Sequence, residues 1–145
     1  MTIDYVALKA EIQNDPTARG YAGKEDNAVA ALLNEIQAGI TIRRDNIGPD
    51  EILQAIDIRD FNATNATPPA CSWFESLTQL RQIRLLNDDG SNTKARLNLN
   101  RMLDDTNGSQ TRFTAIQNRA GSRAEVLFGR NTIITDADVA VARHS

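Results

Sequence analysis

Asp15-Pro16, followed by Gly20 and Gly23, divides the start of this 145-residue chain into two amphipathic pieces, and that break constrains the fold more than any other feature. The residue before a proline avoids the α region, so a helix opened by Thr2 or Asp4 stops near Asn14. Tyr5, Leu8 and Ile12 recur at helical spacing and predict one buried stripe. Gly20 and Gly23 reach positive φ at little steric cost, which lets the chain reverse around Tyr21. Asp26 stands where an N-cap belongs. Val29, Leu32, Leu33 and Ile36 form a second stripe, and Gly39 occupies the place of a left-handed C-terminal residue. The expectation is an antiparallel helical pair.

Short elements continue down the chain. Ile40-Thr-Ile-Arg-Arg44 alternates and is β-branched, so it reads as extended. Gly48-Pro49-Asp50 restarts a helix whose apolar face is Ile52, Leu53 and Ile56, with Phe61 extending it. Asn62–Pro69 is a small, polar loop closed by two prolines. Ser72-Trp-Phe-Glu75 has the form of a capping box and leads a central helix to Leu86, with Trp73, Leu77, Leu80 and Ile83 inward. After the Asn87–Gly90 turn, a helix over 93–103 turns Ala95, Leu99, Met102 and Leu103 inward. Another starts at Ser109 and buries Phe113 and Ile116. Gly121-Ser122 breaks it, and Ser122-Arg-Ala-Glu125 is a second capping box. Asn131–Ile134 reads as extended, and Thr135 caps a last helix over 136–143. The two extended pieces, 40–44 and 131–134, are expected to pair as a minor ribbon.

The fold class expected is therefore mainly α: a single helical-bundle domain, residues 1–145, of seven or eight short helices with at most a two-stranded β-ribbon. Apolar residues make up 41% of the chain but aromatic ones only 5%, so the core must rest on aliphatic side chains and gain from partner surfaces. Cys71 is the sole cysteine, which excludes an internal disulfide and points to a reducing compartment. The start of the chain lacks the basic and apolar regions of a signal peptide. No apolar run reaches the ~18 residues of a membrane span, so no membrane partner is expected. The Asn-x-Ser/Thr sequons at Asn62, Asn65 and Asn107 have no secretory context and are not read as glycosylation sites.

Candidate chemistry is sparse. His144, the one histidine, is penultimate, and Cys71 precedes the expected capping serine, where it would pack as an apolar staple. Asp88-Asp89-Gly90 lacks the ligand spacing of a calcium loop. Asp104, Asp105, Asp136 and Asp138 read as turn and helix-start acids. No phosphate-cradling glycine loop is present. No catalytic residue, cofactor or metal is expected, and an enzyme is not the reading. What stands out is arginine. The net charge is −3, yet Lys94–Arg130 holds seven basic residues against three acidic ones. Thirteen of the 16 basic residues are Arg, whose fork suits carboxylates and phosphates at interfaces. The interface candidates are Arg81 and Arg84, expected as i, i+3 neighbours on the central helix, with Arg96, Arg101, Arg112, Arg119 and Arg123. With Phe113 the only aromatic between Arg81 and Arg123, that stretch lacks the stacking platforms of a single-strand binder.

Two segments carry a resemblance. The first holds Tyr5, Leu8, Lys9, Glu11, Ile12, Asp15, Pro16, Gly20, Tyr21, Ala22, Gly23, Asp26, Leu33 and Asn34. The second is Ser122–Gly129 with Asp138, Val139, Ala142 and Arg143. They resemble a group of small, largely uncharacterised proteins encoded by tailed bacteriophages, while the middle of the chain, 61–107, does not. The resemblance implies a virion structural protein of the neck or head–tail connection, tail or fibre-attachment region. It implies partners that are other virion proteins, a homo-oligomeric ring or repeated copies, and assembly in the bacterial host cytoplasm. The alternative is a small nucleic-acid-associated module that uses the basic region 94–130.

Overall fold

The computed structural model describes residues 2–61 and 67–145. Along them run α1 (Tyr5–Asn14), α2 (Asp26–Asn34), β1 (Gln37–Arg43), β2 (Asn46–Ile47), α3 (Pro49–Ala55) and a 3-10 turn (Ile58–Asp60). These are followed by α4 (Pro68–Thr78), β3 (Ile83–Arg84), α5 (Lys94–Met102), α6 (Ser109–Ile116), β4 (Asn118–Gly121), α7 (Arg123–Phe128) and α8 (Asp136–His144). The protein is mainly α, with two small antiparallel sheets, β1–β4 and β2–β3. Its residues pack as two compact units: Met1–Ile42 with Ala120–Ser145, and Arg43–Arg119.

The first unit is built from the two ends of the chain. Asp4 caps α1, its Oδ1 accepting from the backbone N–H groups of Val6 and Ala7 at 3.0 and 3.1 Å. The helix ends as expected, with Asp15 left-handed at φ 40°. The Asp15 carboxylate then accepts from the N–H groups of Arg19 (2.6 Å) and Gly20 (2.7 Å), which shapes the connection. Gly20 and Gly23 have φ of 80° and 74°, and Tyr21 between them is fully buried. The expected direct pairing of the first two helices gives way to α8, which is the main neighbour of both. Val139 and Ala142 of α8 share one core with Leu8, Tyr21, Val29 and Leu33. The small side chains of Ala30 and Ala142 in that core suit close helix approach.

Other expectations for this unit are corrected. Asp26 is the first helical residue rather than the cap, and its carboxylate bonds Arg143. Gly39 does not end α2; the helix stops at Asn34, and Gly39 lies inside β1. Asn34 is held from outside the helix: its Oδ1 accepts from Ile134 N (2.8 Å) and its Nδ2 donates to Ile134 O (2.7 Å). That clasp holds 131–134 as irregular chain, so the ribbon expected between 40–44 and 131–134 does not form. The partner of β1 is β4, in Asn-Arg-Ala-Gly, a segment without alternation or β-branching. Gly121 permits the pairing, because a Cβ there would stand 2.1 Å from Ile42 Cγ1. The capping box read at Ser122-Arg-Ala-Glu125 forms, and Thr135, read simply as a cap, also forms a box with Asp138.

The second unit packs Ile47, Ile52, Leu77, Ile83, Leu85, Leu99 and Phe113 in its core. Asn46 faces Arg84 and Ile47 faces Ile83 across β2–β3. The expected capping box at Ser72 does not form. Helix α4 begins earlier, at Pro68, with Thr67 Oγ1 accepting from Ala70 N at 3.3 Å. Proline suits the first helical turn because its missing N–H needs no partner there. The helix ends at Thr78, so Ile83 and Arg84 are strand residues, and Leu80 is exposed. Cys71 is exposed on α4 rather than packed as a staple. Phe61 does not extend α3; it bridges to Leu103, and its ring sits edge-on to Phe74 at 5.2 Å. Thr93 caps α5, and Leu99, Met102, Leu103 and Phe113 are buried as their spacing requires. Most of the loop expected at 62–69, with the sequons at Asn62 and Asn65, lies outside the described residues.

Candidate interaction surface

The arginines that the sequence singles out are distributed through both units, and most of them hold the fold together. Arg81 is in the turn after α4 and Arg84 on β3, so they are not helical neighbours. Arg84 donates from Nε to Leu86 O and pairs with Asp88. Arg96, in the first turn of α5, bonds Gln117 and Asn92. Arg112 donates to two backbone carbonyls, Ala55 (2.7 Å) and Asn107 (2.9 Å), and so ties α6 to the end of α3. Arg101 is exposed on α5, and Arg119 lies in β4. Arg123 belongs to the other unit.

Arg123 shows how the two ends of the chain are tied together. Its Nε and Nη2 each bond a Glu11 carboxylate oxygen at 2.9 Å, and Glu11 also accepts from the Tyr21 hydroxyl at 3.1 Å. The Glu11 side chain is 3% exposed and that of Arg123 18%. A buried charge of this kind is tolerable only when paired and hydrogen-bonded. Burial, and then the Glu11 charge, push the Tyr21 hydroxyl far above its ordinary pKa. The bond to Glu11 likewise raises Arg123. Tyr5 donates to Asp138 (3.0 Å), and Arg143 bonds Asp26 (2.5 Å) and Lys24 O (2.8 Å). Every one of these links joins a residue of the first segment to one of the second or lies within the first.

Two features escape a reading of the sequence. Arg44 grips Glu51 with both terminal nitrogens (2.6 and 3.0 Å), and this bond holds the Glu51 carboxyl below its usual range. Arg19 stands over a cleft of about 620 Å³ lined also by Leu32, Gln37, Ile40, Arg123 and Val126. Its terminal nitrogens bond only neutral oxygens, Leu32 O (2.9 Å) and Gln37 Oε1 (2.8 Å), and its buried Nε has no partner. The Arg43-Arg44 doublet at the end of the alternating run was the one available signal for the first of these features. Apolar side chains face outward in the unit built from the chain ends, with Val6 at 80% and Ile133 at 68% exposure and Ile36, Val126 and Val141 about half open or more.

Among the described residues, no three His, Cys, Asp or Glu side chains gather as a metal site, and no helix is long and apolar enough to cross a membrane. His144 ends α8 and is exposed. No protein-family model, no curated protein and no solved structure matches this chain.

Proposed function

We propose that this protein is a structural component of a tailed-bacteriophage particle, in the neck, tail or fibre-attachment region, and that it acts through protein–protein contacts. One observation carries the reading. The two segments that resemble phage proteins, far apart in sequence, pack into one compact unit, and their shared residues bond one another. The matched residues thus belong to one packed unit of this chain, which supports reading them together. Outward-facing Val6, Ile36, Val126, Ile133 and Val141 on that module support covering by neighbouring subunits. The test is quantitative mass spectrometry of nuclease-treated particles from a phage whose genome encodes the chain. A fixed ratio to the major capsid protein is expected, and six or twelve copies would assign it to a ring. Abundance in infected cells with absence from particles would overturn the proposal.

A further inference from the structure

Arg43, at the end of β1, and Arg96, in the first turn of α5, meet on one oxygen. Arg43 Nη2 and Arg96 Nη1 (3.0 Å) both donate to Asn92 Oδ1. Two donors on a single acceptor stand at most about 6 Å apart. Arg43 also reaches Gly90 O at 3.4 Å, and Arg96 Nε bonds Gln117 Oε1. All of these acceptors are neutral, and among the described residues neither guanidinium has a carboxylate partner. The acids of the adjoining loop are turned elsewhere: Asp88 pairs with Arg84, and Asp89 accepts from the Ser91 N–H and hydroxyl. Exposed Lys94 adds a third cation, and the first turn of α5 holds no acidic residue. Cations at a helix N-terminus oppose the helix dipole, so the dipole does not explain this grouping.

We propose that Arg43, Asn92 and Arg96 form a binding site for a doubly charged oxyanion of the phosphate class. Two guanidinium forks that meet on one oxygen match a group with several acceptor oxygens and two negative charges better than a single carboxylate, which offers two oxygens and one charge. Asn92 sets the spacing, since its side-chain oxygen holds both forks and its amide N–H groups donate to the same anion. Burial, and next the Arg43 charge, press the Arg96 guanidinium below its ordinary pKa, a repulsion that a bound anion relieves. The site stands independently of the particle reading.

The test is a nitrogen–proton NMR titration of the full chain with inorganic phosphate at constant ionic strength. Saturable shifts confined to residues 90–96 and the Arg43 and Arg96 side chains are expected. Arg43→Gln should weaken binding by at least about tenfold. Arg43 is exposed, so this variant reads binding even if Arg96→Gln disturbs the fold through Gln117. Arg59→Gln removes the same charge elsewhere and should bind phosphate as the parent does. A 5′-phosphorylated oligonucleotide that binds more tightly than the same strand without its phosphate would identify a nucleic-acid end as the source. Equal binding of those two strands, with phosphate still saturating, would identify the free anion. Absence of saturation, parental affinity in Arg43→Gln, or acetate binding as tightly as phosphate would overturn the proposal; the last would favour a partner protein's carboxylate.

Discussion

Arg123→Ala is expected to cost about 3 kcal/mol or more, because it leaves the Glu11 carboxylate buried beside Tyr21 without its cation. Equilibrium urea unfolding measures this, and Glu11→Met with Arg123→Met should recover much of the loss, since the charge then leaves along with its partner. A single-variant cost below about 1 kcal/mol would mean that water reaches the pair. Asp60 is the second sensitive residue. Burial pushes its carboxyl up, but the hydrogen bonds from Ser109 and Asn107 prevail and hold its pKa well below the usual range. The folded state therefore binds fewer protons than the unfolded one in that range. The contribution of Asp60 is complete above its unfolded value of about 4 and is lost as pH falls toward the folded value. Unfolding free energy should decline below pH ~4, and Asp60→Asn should make that decline shallower. A decline of equal slope in Asp60→Asn would assign acid sensitivity to other carboxylates.

The helix starts separate apparent caps from operative ones. Thr67→Ala removes the hydroxyl that accepts from Ala70 and should cost about 1 kcal/mol. Ser72→Ala, inside α4, should fall within about 0.5 kcal/mol of the parent, although Ser72-Trp-Phe-Glu75 is the better capping box on paper. Reversal of that order in chemical denaturation would place the helix start at Ser72. The ribbon β1–β4 has its own weak point. Gly121→Ala drives a methyl against Ile42 at a site where no Cβ fits, and a loss of about 1–3 kcal/mol is expected. Unchanged thermal unfolding would show that Ile42 can move aside. Breaks and caps were largely legible in sequence because each is settled within about four residues of chain. Ser72 misled because proline at Pro68 and Pro69 competes for the same helix start, and a proline pair is an equally good opening turn.

Both crossings of the chain between its two units fall in the β1–β4 ribbon, at 42–43 and 119–120. Residues 43–119 are therefore continuous, while the other unit is assembled from the chain ends. Replacing 43–119 by Asn-Gly should leave a folded module, since that dipeptide closes antiparallel strands in a tight turn. Dispersed amide resonances with slow exchange at Tyr21 and Leu33 are expected. A collapsed spectrum would show that the end-built unit requires 43–119 in order to fold. The arrangement also bears on the resemblance, whose residues all lie in the end-built unit, whereas the unlike middle, 61–107, lies wholly in the continuous one. The proposal of a particle component accordingly rests on the first unit and that of an anion site on the second.

Helix count, most breaks and the apolar stripes on α1, α5 and α6 were dictated locally, by proline and glycine geometry, side-chain caps and 3.6-residue spacing. The partner of each long-range contact was not. Asn118–Gly121 carries no strand pattern, and it is a strand because Ile42 and Gly121 fit together. Arg43, Arg96 and Arg123 are alike in sequence terms, yet one pair meets on Asn92 while Arg123 neutralises a buried Glu11. Charge and side-chain type are properties of a residue. Burial and the identity of the opposing group arise only when distant segments pack, and these decide whether an arginine serves the fold or faces a ligand.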